Sequence, residues 1–265
     1  MIFYDFNNIN KYNSLKKRIR PIVSDFPLKR YGNGDGSYVV EDINFTDKNI
    51  RVLSYGVGSS IPFEENLAEN YDSTINCYDG SIDYISKNDK IIFRKENLTD
   101  FFQFKQHADA LGVENGNINI LKMDIEGFEW GFFKSADINY IKSRFDYLCL
   151  ELHGLIEEVP DGWNIDPETQ KAKNNMQLKI DVLDKINLFY DIIHIHGNNH
   201  SPRYFDMPDS LEITYKLRSF FRDKNNISFP IDKIDKPNFQ EREDYVLDWW
   251  VDHYGNNKDS FGRDL

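Results

Sequence analysis

A regular alternation of strand-like and helix-like segments, which begins at residue 50, constrains the fold of this chain most. Short apolar runs at 50–56, 74–79 and 118–124 are each followed by a helix-like segment. Such βαβα alternation is typical of a parallel sheet with helices on both faces. We therefore predict a Rossmann-like α/β fold for the middle of the chain.

The last two predicted strands, 190–196 and 211–217, are joined by a loop that is a poor candidate for a helix because it contains Pro202 and Pro208. A parallel return needs a dozen or more residues, usually helical, so these two strands should pair antiparallel. We predict a seven-stranded, mostly parallel sheet that ends in a C-terminal antiparallel hairpin, which is the arrangement of class I methyltransferases.

The remaining elements and the domain boundaries follow from the same alternation. Strands are also predicted at 90–95 and 147–153, and helices at 8–20, 62–70, 82–86, 99–111, 128–143 and 167–186. We divide the chain into an N-terminal helix and glycine-rich lid segment, a catalytic core, and an acidic and aromatic C-terminal appendage, at 1–48, 49–220 and 221–265.

Composition narrows the classes of partner. The 265 residues carry a formal net charge of −12, which disfavours nucleic acid and anionic membranes as partners. The chain contains no apolar run near the roughly 18 residues of a membrane span, and its first five residues do not resemble a signal peptide. Cys77 and Cys149 lie in strand-like runs and are expected to be buried, reduced thiols. We expect a cytoplasmic protein.

The end of the first core strand predicts a nucleoside-binding turn. Gly56 and Gly58 stand between this strand and a helix, where they would allow a ligand close to the backbone. A dinucleotide-binding turn would have a third glycine where this chain has Ile61, which argues against NAD. Asp79 follows at the distance at which a carboxylate meets a ribose diol, although it could also belong to an ordinary turn with Gly80.

Several motifs resemble one family. The run 121–130 (LKMDIEGFEW) resembles the signature of FkbM-like methyltransferases, and 54–68 is similar to the S-adenosylmethionine (SAM) motif of the same group. The run 35–39 resembles its DGGYV element with Ser37 in place of the second glycine, and 150–153 and 196–199 fit its later strand ends. The resemblance extends from about residue 30 to 217. It implies SAM as the cofactor and O-methylation of a small acceptor, often a sugar, a sugar nucleotide or a natural product.

The cofactor-binding and catalytic residues are expected at the carboxyl ends of the strands. The residues expected to bind the cofactor are Gly56, Gly58, Ser59, Glu64, Asp79, Asn97 and Asp124. His196 is expected to be the general base, with Asp124 as a second catalytic residue. Asp124, Glu151 and His153 form a candidate site for Mg²⁺ or Mn²⁺, although each could instead cap a helix or strand or form an ion pair.

The acceptor is expected to contact residues of the glycine-rich segment and of the loop after residue 196. The residues predicted to contact it are Tyr38, Asn198, Asn199 and Arg203. A homodimer is possible. Two other functions stay open at this point: an NAD(P)-dependent oxidoreductase, and an interaction module that kept the fold without the chemistry. The row of ionisable strand ends argues against the second of these, because a scaffold does not need them.

Overall fold

Strands and helices alternate along the chain in the computed structural model, which describes residues 6–42, 48–83, 87–113, 116–156, 175–204, 206–219 and 227–251. The helices are α1 (Phe6–Arg18), α2 (Pro62–Asn70), α3 (Phe101–Leu111), α4 (Glu129–Ser135), α5 (Ile138–Lys142) and α6 (Met176–Asn187). The strands are β1 (Leu28–Tyr31), β2 (Tyr38–Glu41), β3 (Ile50–Tyr55), β4 (Ser73–Tyr78), β5 (Ile91–Arg94), β6 (Ile118–Met123), β7 (Tyr147–Leu152), β8 (Tyr190–Gly197), β9 (Arg203–Tyr204), β10 (Met207–Pro208) and β11 (Leu211–Leu217).

The main sheet has seven strands in the order β5-β4-β3-β6-β7-β11-β8. β3, β4, β5, β6 and β7 pair in parallel, and β11 pairs antiparallel with both β7 and β8. The predicted mostly parallel sheet with its antiparallel hairpin is therefore confirmed. Because β11 inserts between its two neighbours, the ends of β7, β8 and β11 come together beside the end of β6.

Local signals place the ends of the helices. α3 begins after Asp100, whose side chain accepts a hydrogen bond from the backbone N–H of Gln103, and it ends at Gly112 in the left-handed conformation. The helical segments predicted through 128–143 are the two helices α4 and α5, which the extended backbone of Ala136 separates. None of the helices in the described ranges is both long and apolar enough to cross a membrane.

Three predicted segments differ from the structure or lie partly outside its described residues. In the predicted helix 82–86, Ile82 and Asp83 are not helical, and 84–86 lie outside the described residues. The predicted helix 167–186 is described only from residue 175, and α6 covers that part. The predicted glycine-rich lid contains the antiparallel hairpin of β1 and β2, and all four residues of β2 are buried. This burial argues against a freely moving lid at 38–41. Cys77 and Cys149 are buried free thiols, as predicted.

The C-terminal segment 227–251 packs onto the same core as the sheet. Phe229 and Leu247 are fully buried and form a short antiparallel bridge, and Trp249 and Trp250 are almost fully buried in the same cluster as the strands of the main sheet. Hydrophobic burial therefore fixes this segment against the domain. The domain boundaries at residues 48 and 220 stay a prediction.

Truncation of Leu247 is expected to test this packing. Leu247→Ala should lower the free energy of unfolding by about 2–5 kcal/mol, because it leaves a cavity in the core. The neighbouring Val246 is 56% exposed, so Val246→Ala should change stability by less than about 0.5 kcal/mol. Chemical denaturation of both variants measures the difference. Equal, small effects would contradict a packed C-terminal segment.

Candidate active site

A cavity of about 770 Å³ opens at the carboxyl ends of β3, β4 and β6. This is the position at which open α/β sheets bind ligands, and the volume suits a nucleoside-sized molecule. Five of its lining residues are acidic: Asp35, Asp79, Glu96, Asp124 and Glu126. Of the residues predicted to bind the cofactor, Gly56, Gly58, Ser59, Asp79, Asn97 and Asp124 line it.

The turn after β3 requires glycine at its first position. Gly56 has a φ of +67°, and a Cβ atom there would lie 1.5 Å from the backbone oxygen of Asp124. The backbone N–H of Asp124 in turn donates to the carbonyl of Tyr55 at 3.1 Å. The turn and the end of β6 are therefore in direct contact, which leaves no space for a side chain.

Asp79 is held at the end of β4 as an ionised carboxylate. Its Oδ2 accepts from the backbone N–H of Gly58 at 2.9 Å, and its Oδ1 accepts from the backbone and hydroxyl of Ser81 at 2.8 and 2.6 Å. Burial acts to raise the pKa of Asp79, but the hydrogen bonds from Ser81 and Gly58 outweigh it and lower the pKa. A carboxylate has about four acceptor positions, so this one can still accept from a diol.

Two polar residues at the base of the cavity form a buried ion pair. Lys122, on β6, is 1% exposed, and its Nζ lies 3.4 Å from Oε1 of Glu64. The same oxygen accepts from the hydroxyl of Ser54 at 2.5 Å. Lys122 lines the cavity, whereas Glu64 is fully buried and does not, so the predicted contact of Glu64 with the cofactor stays a prediction. The sequence analysis missed Lys122, although it lies within the KMDIEG run.

An aromatic stack supports another wall of the cavity. The ring of His107 lies 3.9 Å from the ring of Tyr78, nearly parallel to it, and its Nδ1 is 3.0 Å from the hydroxyl of Tyr55. Its Nε2 lies 3.4 Å from Glu96. Burial, only partly offset by Glu96, lowers the pKa of His107. The histidine is therefore held in its neutral form.

This lowered pKa predicts a pH dependence of stability. Below an ordinary histidine pKa of about 6.5, the unfolded chain takes up a proton at this position before folded His107 does, so the contribution of His107 to the free energy of unfolding should fall as the pH drops from that value. The slope for one proton cannot exceed about 1.4 kcal/mol per pH unit. His107→Phe keeps an aromatic ring and should lose this part of the slope, whereas the exposed His200→Gln should retain it. Thermal melts from pH 7.5 to 5 measure both, and an unchanged slope in His107→Phe would contradict the assignment.

A cluster of acids surrounds His153 beside the cavity. Its Nε2 lies 3.5 Å from Oε1 of Glu151 and 3.7 Å from both Oδ1 of Asp124 and Oε2 of Glu126, and its Nδ1 lies 3.3 Å from Oε1 of Glu129. Glu151 and His153 are two residues apart at the end of β7, so the alternation of a strand places both side chains on the same side. This is consistent with their contact. The sequence analysis missed Glu129, which is fully buried at the start of α4. Its position in a helix gives no local signal of a contact with the end of β7.

The charges of this cluster follow from the burial of its members. Burial and then the charge of Glu151 raise the pKa of Asp124 well above its ordinary value. Although burial opposes it, Glu129 and Glu151 raise the pKa of His153 well above its ordinary value. Burial also acts to raise the pKa of Glu151, but His153 and hydrogen bonds from Ser210 and Asn198 lower it. The cluster therefore holds an imidazolium and an ionised Glu151, and its Asp124 is protonated more readily than an ordinary aspartate.

The predicted metal trio Asp124, Glu151 and His153 is divided in the structure. Among the described residues, two groups have potential ligand atoms within 4.8 Å of one another: Asp124, Glu126 and His153, and Asp35, Glu151 and Glu212. Glu151 belongs to the second group, although its Oε1, which accepts from Ser210 and Asn198, also lies 3.5 Å from Nε2 of His153. The interpretation of the trio as one compact set of ligands is corrected accordingly.

His196 is buried beside the acid cluster and is occupied on both ring nitrogens. It is 1% exposed, its Nδ1 lies 3.0 Å from Oε2 of Glu212, and its Nε2 lies 3.0 Å from Asp244. Burial acts to lower the pKa of His196, but the hydrogen bonds to Asp244 and Glu212 raise it to about 10. A charged histidine with two acceptors has no free lone pair. This geometry argues against His196 as the general base and makes it a support for Glu212.

The residues predicted to contact the acceptor lie in different environments. Tyr38 is 2% exposed, and its ring packs against Phe63. Asn198 donates to Glu151 at 2.8 Å. Asn199 binds the backbone of residues 239, 242 and 243, which is a structural role, and Arg203 is exposed and stacks over Tyr245. The structure thus brings Tyr38 and Asn198 to the acid cluster, and the contacts of all four with an acceptor stay a prediction.

Comparisons with solved structures find folds that are distantly similar. A protein described as a hemolysin from Streptococcus thermophilus shares 7% identity and a TM-score of 0.39, over 67% of this chain and 62% of its own length. A protein from Lactococcus lactis, also described as a hemolysin, shares 8% identity and gives a TM-score of 0.38, over 66% of this chain and 80% of its own length. A fibrillarin/Nop5p complex gives 11% identity and a TM-score of 0.35, over 65% and 73%. Among curated proteins, none matches this chain significantly.

A family comparison is more specific. The methyltransferase FkbM domain matches residues 20–179, which is more than half of the chain and includes the glycine turn, Asp79 and the KMDIEG run. The match ends within α6, so His196 and Glu212 lie beyond it. The matched segment contains most of the residues that line the cavity, and the chain belongs to the FkbM family of methyltransferases.

Proposed function

We propose that this protein transfers the methyl group of SAM to a hydroxyl group of a small polar acceptor, such as a sugar or a sugar nucleotide. The observation that carries the proposal is the cavity of about 770 Å³ into which the glycine turn, Asp79 and Asp124 converge. Membership of a methyltransferase family supports the reaction class. The identity of the cofactor and acceptor rests on the chemistry of the cavity.

The cavity residues fit SAM. When bound, SAM supplies an electrophilic methyl group on a positively charged sulfur. The space beside the α-carbon of Gly58 is open, since a Cβ atom there would have no neighbour within 4 Å. Asp79 offers an ionised carboxylate at the end of β4 for a ribose diol. The acidic lining, with Glu96 and Asp124, favours a cationic ligand over the pyrophosphate of NAD.

Asp124 is placed to accept the proton of the acceptor hydroxyl. It lines the cavity, and His153 contacts it from the side of β7. A proton acceptor works best when its pKa lies near the working pH, and burial with the charge of Glu151 shifts the pKa of Asp124 upward in that direction. Because a sugar hydroxyl is a weak acid, proton transfer accompanies attack. His153 is a positioning residue that neutralises the carboxylates around it.

The two other functions are less well supported. An oxidoreductase would need a close helix–strand approach at the third glycine position, where Ile61 is buried at the start of α2. A non-catalytic module has no need for Asp124 and Glu151 side by side, because two such carboxylates repel each other at a cost in stability.

A labelled-methyl assay tests the proposal. Purified protein with methyl-labelled SAM is incubated with a panel of nucleotide sugars, free sugars, simple alcohols and amines, with and without added Mn²⁺. We expect label on a hydroxyl-bearing acceptor and none on an amine of similar shape. Transfer to nitrogen alone, or to no member of a broad panel by a protein that binds SAM, would contradict the proposed O-methylation.

A further inference from the structure

Three carboxylates meet beside the His153 cluster, with which they share Glu151. Asp35 comes from the turn between β1 and β2, Glu151 from the end of β7, and Glu212 from β11. One oxygen of each lies within 4.8 Å of the others, and Glu151 and Glu212 are 4% and 3% exposed. Two oxygens bound to one ion at about 2.0–2.4 Å cannot lie further apart than this. The spacing is therefore compatible with a shared cation.

Among the described residues, few cations contact these three carboxylates. The cations in contact are His153 at Glu151 and His196 at Glu212, and each of them is shared with further acids. His196 also holds Asp244, and His153 also holds Glu129. Acids gathered in a partly buried place are costly unless a cation compensates them.

An unpaired buried hydroxyl points independently to a ligand here. Tyr38 is 2% exposed, and its hydroxyl has no hydrogen-bond partner among the described residues. It lies in the field of Asp124, Glu151 and Glu212, and this field adds to the effect of burial in raising the pKa of Tyr38. A buried hydroxyl left unpaired costs about 1–3 kcal/mol. A buried hydroxyl without a partner near three carboxylates is the kind of group that a bound water or ion satisfies.

Asn238 holds two of the carboxylates in position. Its Nδ2 donates to Oδ1 of Asp35 at 3.0 Å and to Oε1 of Glu212 at 2.6 Å, so it ties them together. Its Oδ1 has no hydrogen-bond partner in the described part of the chain. Three carboxylates are a hard ligand set without nitrogen or sulfur, which is the chemistry of Mg²⁺ or Mn²⁺ rather than of Zn²⁺.

We propose that Asp35, Glu151 and Glu212 bind one divalent cation, Mg²⁺ or Mn²⁺, with Asn238 at its edge and the Tyr38 hydroxyl facing its water shell. Asp35 also lines the cofactor cavity, so the ion lies at the acceptor end of the site. If the proposed function holds, on which this consequence rests, the acceptor carries oxygens that an ion can bind: a vicinal diol or a phosphate. The bound cation would then allow the negatively charged pyrophosphate of a nucleotide sugar to bind at a site lined by acidic residues.

Titration of Mn²⁺ tests the site without any methyl transfer. Protein freed of metal with a chelator is titrated with Mn²⁺, and the signal of free Mn²⁺ is followed by electron paramagnetic resonance. We expect one ion per chain. Asp35→Asn, in an exposed turn, and Glu212→Gln should each weaken binding by at least about tenfold, since even indirect ligand contacts are worth this much. Glu126→Gln removes a carboxylate from the other acid group and should leave the affinity unchanged.

The outcomes separate the sites and the two proposals. The assignment would be overturned if Asp35→Asn kept its affinity for Mn²⁺ while Glu126→Gln lost it. It would also be overturned if the wild-type protein bound no Mn²⁺ at about 1 mM, a concentration at which even weak protein sites for Ca²⁺ are occupied. Thermal melts identify a variant that fails to fold. Tyr38→Phe supplies a second measurement, because without Mn²⁺ this variant should be more stable than the wild type, and added Mn²⁺ should stabilise it less. The same samples are titrated with SAM. If the wild-type protein binds SAM but not Mn²⁺, this inference alone is refuted and the proposed function stands.

Discussion

Gly56→Ala is expected to unfold the glycine turn after β3, to which we assign cofactor binding. The new Cβ atom would overlap the backbone oxygen of Asp124, and the residue would keep a φ that side chains rarely adopt. Because both partners are backbone, no side chain can move to relieve the contact. We expect a loss of more than about 4 kcal/mol in the free energy of unfolding and no measurable SAM binding.

Gly112→Ala is the matched control for this substitution. Gly112 has nearly the same φ, +69°, but the nearest atom to its added Cβ is the Arg51 guanidinium at 3.8 Å. The free energy of unfolding of Gly112→Ala should fall by only about 1–2 kcal/mol, which is the cost of a side chain on a left-handed backbone. Its affinity for SAM should match that of the wild type. Denaturant unfolding and calorimetry of both variants give the comparison. Equal losses in the two would mean that β3 and β6 do not meet at Gly56 as described.

Asp124→Asn is expected to separate activity from stability. The amide keeps the shape of the side chain but cannot accept the proton, so the methyl-transfer rate should fall by about 10²–10⁴-fold. The folded state raises the pKa of this carboxyl, chiefly through burial and Glu151, so its ionised form opposes folding at neutral pH. The variant should therefore be at least as stable as the wild type at pH 7.

Asp146→Asn provides the control for the loss of a buried carboxyl. Burial also raises the pKa of Asp146. This residue directly precedes β7, at the amino ends of the parallel strands, whereas the cavity lies at their carboxyl ends. Its Oδ2 accepts from the backbone N–H of Asn119. Its methyl-transfer rate should stay close to that of the wild type. Steady-state kinetics with thermal melts on both variants decide the matter, and an Asp124→Asn enzyme with full kcat would remove Asp124 from the mechanism.

The parts of the fold that depend on local pattern were predictable from the sequence. The strands that begin at Ile50 and Ile118 end within one residue of their predicted positions, and Pro62 starts α2 as expected. The antiparallel pairing of β8 and β11 followed from the loop between them. These features depend on residues that are near one another in the chain, where spacing and turn chemistry decide the outcome.

The acid cluster was predicted only in part, because its contacts join distant segments. Asp124, Glu151 and His153 were recognised as neighbouring strand ends, which the parallel topology alone brings together. Asn238, by contrast, reaches Asp35 across 203 residues of sequence. His196 looked like a base because nothing local reveals that Asp244 and Glu212 occupy its nitrogens. Tertiary packing decides the charge state of such a group, and a single sequence does not encode it in a readable pattern.

The account depends most on a SAM-binding cavity formed by the glycine turn and Asp79. Isothermal titration of SAM, its demethylated product and NAD into the purified protein measures this directly. We expect both SAM and its product to bind with a Kd in the range of about 1 μM–1 mM, typical of enzyme substrates, and NAD to give no binding heat. Asp79→Ala should weaken SAM binding by at least about tenfold, as expected for a lost charged hydrogen-bonding group. NAD binding in place of SAM, or no affinity for SAM and its product, would contradict the account.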